Sequence, residues 1–112
     1  MSHISTHILN TATGEPAIGL NIDLYFQKGF EWDLVANGTT NNDGRISHLY
    51  EPEKGIHGGI YRMRFGTGEY FLSLGEQPFY PWAEVVFMAS KKESYHIPLL
   101  LSYFGYSTYR GS

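Results

Sequence analysis

Residues 20–26 read LNIDLYF. Leu20, Ile22, Leu24 and Phe26 alternate with Asn21, Asp23 and Tyr25. A period of two puts one apolar row on one face of an extended chain, which is the pattern of a half-buried strand. The same alternation recurs at residues 4–9, ISTHIL, where Ile4, Thr6 and Ile8 oppose Ser5, His7 and Leu9. In IYRMRF, residues 60–65, Tyr61, Met63 and Phe65 oppose Ile60, Arg62 and Arg64. AEVVFMA (83–89) and YHIPLLL (95–101) are apolar runs of strand length. Turn signals separate them: TGEPAIG, ANG, NNDG, EPEKGIHGG and GEQPFYP. Short strands with regular punctuation and thirteen glycines predict an all-β sandwich.

One segment reads otherwise. TGEYFLSLGE, residues 67–76, predicts a single short helix, with Thr67 as its cap, Glu69 in the first turn and Gly75 at the end. Pro98 interrupts an apolar run. Proline cannot donate to a ladder, so it is expected at an edge or a bulge, and His96 with it where the strand is broken or exposed.

Bulk properties narrow the function classes. A length of 112 residues predicts one domain spanning 1–112. The net charge of -3 and the lack of any basic run beyond Lys91-Lys92 speak against nucleic acid. Cysteine is missing, which removes disulfides, thiolate catalysis and cysteine-based zinc sites. MSHISTHILN has neither a basic nor an apolar leader region, and no apolar run approaches the ~20 residues of a membrane span. The expectation is a cytoplasmic protein, or a periplasmic one if a leader was removed. Nine tyrosines suit half-buried sheet faces and interfaces.

Five histidines are the groups that titrate near neutrality. His48 and His57 fall in or near loops. His3 and His7 share a strand face but stand about 13 Å apart, too far for one metal ion. His7 and His96, each taken alone, read as ordinary sheet histidines. Arg45 reads as a solvated charge after the NNDG turn, and the tail YRGS as a frayed end. No Ser-His-Asp order, phosphate loop or metal cluster is readable. Pattern alone gives a small sandwich with no evident active site.

Two longer stretches add to this. HILNTATGEPAIGLNI, residues 7–22, resembles the N-terminal signature of the transthyretin family. YHIPLLLSYFGYSTYRGS, residues 95–112, resembles its C-terminal signature. TTNNDGRI, GIYRMRF and FYPWAEVVF lie between them in the expected order, so the resemblance spans essentially the whole chain. It implies a transthyretin-like (prealbumin-like) sandwich of eight strands in two four-stranded sheets, with one short helix after the fifth strand. It also implies a homotetramer, a dimer of dimers with sites at the dimer–dimer interface.

The family holds hormone carriers and 5-hydroxyisourate hydrolases of urate catabolism. His7, Arg45, His96 and a terminal YRGS together match the hydrolase pattern. The implied reaction cleaves the N1–C6 cyclic amide of 5-hydroxyisourate, giving 2-oxo-4-hydroxy-4-carboxy-5-ureidoimidazoline, with no metal and no organic cofactor. The resemblance implies His7 and His96 around the attacking water, one of them as general base, and Arg45 as a clamp on substrate oxygens. Tyr109 is implied as a substrate contact, Ser112 as an aid to a histidine or the water, and Arg110 as a hold on the carboxyl terminus. Tyr103 departs from the pattern, where proline or a polar residue is expected, a change that can alter the pocket rim or a subunit contact. The alternative readings are a non-catalytic carrier binding a small molecule in the central channel, and a structural or interaction sandwich.

Overall fold

The LNIDLYF row becomes the centre of one sheet. The computed structural model describes residues 2–112. In chain order the elements are β1 (Ile4–Asn10), β2 (Glu15–Pro16), β3 (Asn21–Lys28), β4 (Glu31–Thr39), β5 (Arg45–Tyr50) and β6 (Gly59–Phe65). Helix α1 (Thr67–Ser73) follows, then β7 (Ala83–Ala89), β8 (Tyr95–Leu101) and β9 (Tyr106–Thr108). One sheet runs β4-β3-β6-β7. In the other, β1 is flanked by β8 on one side, and β9 lies beyond β8. On the other side of β1, β5 pairs with its first half and the two-residue β2 with its second. That sheet is therefore four positions wide. Apart from β2 there are eight strands, and the helix follows the fifth of them, as expected.

The inward rows are those of the sequence pattern. Leu20, Ile22, Leu24, Met63 and Phe65 are at most 1% exposed, as are Ile4, Thr6 and Ile8 from the facing sheet. Each fully buried aliphatic side chain contributes about 1.5–3 kcal/mol. The polar member of the row, Thr6, donates its hydroxyl to the Ile97 carbonyl at 2.7 Å, so its burial leaves no orphan.

The structure corrects three local expectations. ANG is not a turn; Ala36, Asn37 and Gly38 lie inside β4. The hairpin turns instead at Gly29-Phe30, between the paired Lys28 and Glu31, with Gly29 at φ 66°. Glycine at the first central position meets the twist of a two-residue hairpin. Thr67 does not cap α1. Gly66 holds the cap position, and Thr67 is the buried first helical residue with its hydroxyl unpartnered. The other end is as expected: Gly75 at φ 79° and Glu76 donate to the Leu72 and Phe71 carbonyls, closing the helix.

Pro98 is neither at a sheet edge nor in a bulge; β8 runs between β1 and β9. The β8–β9 ladder pairs Leu99 with Thr108, skips Pro98, and resumes at the His96–Gly111 bridge. The missing donor thus falls in a gap that the Pro98 carbonyl helps to fill, accepting from Thr108 Oγ1 at 2.7 Å. Tyr103 packs its ring on Phe71 of α1, with centroids 5.2 Å apart.

Candidate active site

Outward-facing residues of the β1/β8 sheet make up the candidate site. Ser5 and His7 lie on the outer row of β1, opposite buried Ile4, Thr6 and Ile8. Pairing sets His7 against Arg45 of β5, Ser5 against His96 of β8, and His7 against Pro98. A strand's period of two then gives all of these side chains one face. His7, Arg45 and His96 are 38 or more residues from one another in sequence, and three neighbouring strands bring them together.

Arg45 is exposed, but its backbone is held. Asn41 Oδ1 accepts from the backbone N–H groups of Asp43 at 2.9 Å and Arg45 at 3.0 Å. Gly44, at φ 71°, lets its carbonyl accept from the Ile8 N–H at 2.8 Å. A side chain there would meet the Ile8 carbonyl oxygen. The NNDGR turn is thereby fastened onto β1 just before the arginine.

The tail is not frayed. Gly111 donates its N–H to the His96 carbonyl at 2.9 Å, and its Cα lies close against the His96 ring. Ser112 follows and enters a hollow of about 210 Å³ lined by His3, Ser5, Arg45, His48 and His96. A larger hollow of about 640 Å³, bounded by Glu53, Lys54 and Lys92, contains no imidazole. Chemistry and not size selects the smaller one.

Electrostatics support the grouping. Burial holds the His7 imidazole below its ordinary value, and the Arg45 cation lowers it further, while Asp43 opposes. Burial likewise lowers His96, followed by Arg45 and then His7. Both rings are therefore biased toward the neutral form, which can accept a proton. Ser5 Oγ lies 2.8 Å from His96 Nδ1 and fixes one ring nitrogen.

One implied site residue falls elsewhere. Tyr109 lines a separate hollow of about 230 Å³ with Val86, Met88 and Tyr95, away from the histidines of the same chain. Arg110 places its guanidinium 4.8 Å from the centroid of the Tyr95 ring, and it lines a neighbouring hollow of about 450 Å³ together with His3, Ser5, His96 and Ser112. Sequence reasoning missed Ser5 and Gly111. Ser5 shares the His7 face, which the alternation shows, but its link to His96 depends on strand pairing.

An all-β sandwich with an imidazole–guanidinium hollow on the outer face of one sheet defines a transthyretin-like class of protein. The chain belongs to the HIUase/Transthyretin family, which it matches over residues 4–111. It is 48% identical over 110 residues to the 5-hydroxyisourate hydrolase of Salmonella typhi, covering 97% of this chain and 80% of that protein. Among solved structures it resembles Klebsiella pneumoniae 5-hydroxyisourate hydrolase, with a TM-score of 0.88, 34% identity and 100% coverage of both chains. It also resembles transthyretin from Sparus aurata, with a TM-score of 0.91, 31% identity, and 99% and 97% coverage of the two chains.

Proposed function

We propose that this protein is a 5-hydroxyisourate hydrolase. The observation that carries the reading is the convergence of Arg45, His96 and Ser112 on one hollow, with His7 paired to Arg45 on the same sheet face, in a chain whose curated relatives carry that name. Fold likeness alone is neutral, because hydrolase and transthyretin structures match equally well. The residues on the sheet face carry the distinction.

The reaction adds water across a cyclic amide. Water attacks the C6 carbonyl, the N1–C6 bond breaks, C6 leaves as a carboxylate and N1 takes a proton. A neutral imidazole of His7 or His96 removes the proton from water. The Arg45 guanidinium, planar and permanently charged, binds the oxygens on which negative charge grows. Ser112, beside His96, orients the ring or the water. The ring opening needs no group beyond these side chains and water.

The reading includes a homotetramer. β9 and β7 are sheet edges without partners among the described residues, and edges of this kind are normally covered. Val86 and Met88 on β7 are 58% and 80% exposed, and Phe79, Tyr80, Phe104 and Tyr106 form an exposed aromatic cluster. Tyr109 lies beside this uncovered surface, so it reaches substrate from a neighbouring subunit. No helix among the described residues is long and apolar enough to cross a membrane.

The test follows the ultraviolet absorbance of freshly generated 5-hydroxyisourate with and without the protein. Accelerated loss is expected. Tight binding of an aromatic ligand with no acceleration selects the carrier instead, and neither effect selects a structural sandwich.

A further inference from the structure

A second constellation lies at the rim of the hollow. His3, His48 and Glu51 each bring one donor atom, and the three atoms lie within 4.8 Å of one another. No local spacing announces this group, because His3 precedes β1 while His48 and Glu51 lie on and just beyond β5. Between Ile4 and Thr6 the β1–β5 register shifts: Ile4 pairs with Tyr50 but Thr6 with Ile46. Two extra residues on β5 therefore bulge outward, and a bulge re-aims side chains. It turns His48 toward His3, with ring centroids 4.9 Å apart.

We infer that His3, His48 and Glu51 form a binding site for a zinc-class divalent cation. Two imidazoles and a carboxylate make an established zinc donor set, with a fourth position left for water. His48 Nδ1 and Glu51 Oε1 stand 3.3 Å apart. Ligands about 2.0–2.2 Å from a tetrahedral zinc stand roughly 3.3–3.6 Å from each other, so this pair already spans one edge. Bringing the half-buried His3 and the exposed His48 and Glu51 together requires at most about 1.5 Å of movement, within rotamer adjustment.

His3 is partly oriented for the task. Its backbone carbonyl accepts from the Tyr95 N–H at 2.9 Å, and its own N–H donates to Ser94 Oγ at 3.1 Å. Ser94 Oγ also lies 3.4 Å from His3 Nδ1, leaving Nε2 as the ligating atom. Such an outer partner fixes the orientation of a ligating imidazole. Imidazole donors favour zinc, copper and nickel over magnesium and calcium. His3 and His48 border the same hollow as His96, but the donor set includes neither His7 nor His96, and the inference does not rest on the hydrolase reading.

Equilibrium dialysis against ZnCl2, with MgCl2 as the comparison, tests it on the full chain. The expected result is that His3→Gln/His48→Gln loses one zinc equivalent per chain relative to the unsubstituted protein. His7→Gln/His96→Gln keeps that equivalent, and magnesium does not bind. Retention of all zinc by the first variant overturns the site, as does loss of that equivalent in the second. Glu51→Gln and histidine-ring NMR at substoichiometric zinc cover a folding failure. Shifts of His3 and His48 before His7 and His96 support the site; the reverse order overturns it.

Discussion

Ser5 Oγ and His96 Nδ1 lie 2.8 Å apart across the β1–β8 pair, in register with one another. For Nε2 to offer a free lone pair, Nδ1 must carry the ring proton, and Ser5 Oγ then accepts it. On the proposed reading, Ser5 is thus a positioning residue for His96. Ser5→Ala is expected to lower kcat about 10-fold with KM little changed, and to be rescued in part by Ser5→Thr. Steady-state kinetics on 5-hydroxyisourate check this; an unaltered kcat removes the role.

His7→Gln and His96→Gln each remove a proton acceptor while keeping a polar side chain. Turnover is expected to fall roughly 10²–10⁴-fold. Gel filtration should show an unchanged elution volume, which separates chemistry from folding. Unsubstituted rates in both variants would eliminate these rings as bases.

The pH dependence has a definite sign. Burial first, then Arg45, lowers both imidazoles from the ordinary value of 6.5. The acid limb of kcat/KM should therefore have its midpoint below 6.5. In the unfolded chain these rings protonate more readily than in the fold. The stability they contribute is present above the unfolded value and lost as pH falls through it toward the lowered values. In Arg45→Gln, ring-proton NMR should show both histidines titrating at higher pH. Titration at unchanged pH would mean that Arg45 exerts no field there.

Arg45→Lys keeps the charge but loses the planar fork. One lost charge-assisted hydrogen bond costs about 1.5–3 kcal/mol, so kcat/KM should drop roughly 10- to 100-fold. A lysine variant with full activity would show that charge alone suffices.

Gly111 lies against His96 so closely that an added Cβ would meet ring atom Cδ2, with Pro98 Cγ at 3.1 Å. Gly111→Ala should displace the tail or the ring, and with it Ser112. Activity should fall at least 10-fold while the thermal midpoint moves little, because the tail contributes little to the core. Differential scanning calorimetry beside the activity assay tells the two apart; a full rate would show that the tail's seat on His96 is unimportant.

Much of the fold was legible because alternation is local. The rows through Leu24, Met63 and Ile8 face inward wherever the strands pair, since a period of two fixes the face of each residue. The short helix and its Gly75 stop were readable for the same reason. ANG misled because Ala-Asn-Gly can sit in a strand when a different glycine, Gly29, makes the turn. Thr67 misled because Gly66 took the cap position, leaving the threonine inside the helix.

The site divides along the same line. The sequence by itself determined which residues face outward on β1, and through the family signatures it named His7, Arg45, His96 and Ser112. Only the tertiary structure decided that β1 lies between β5 and β8, that Ser5 meets His96, and that the tail bridges back to His96 through Gly111. It alone moved Tyr109 to another surface and drew His3, His48 and Glu51 together. The physical reason is range: side-chain direction follows from neighbours in the chain, whereas register and bulges are set by pairing between strands many residues apart.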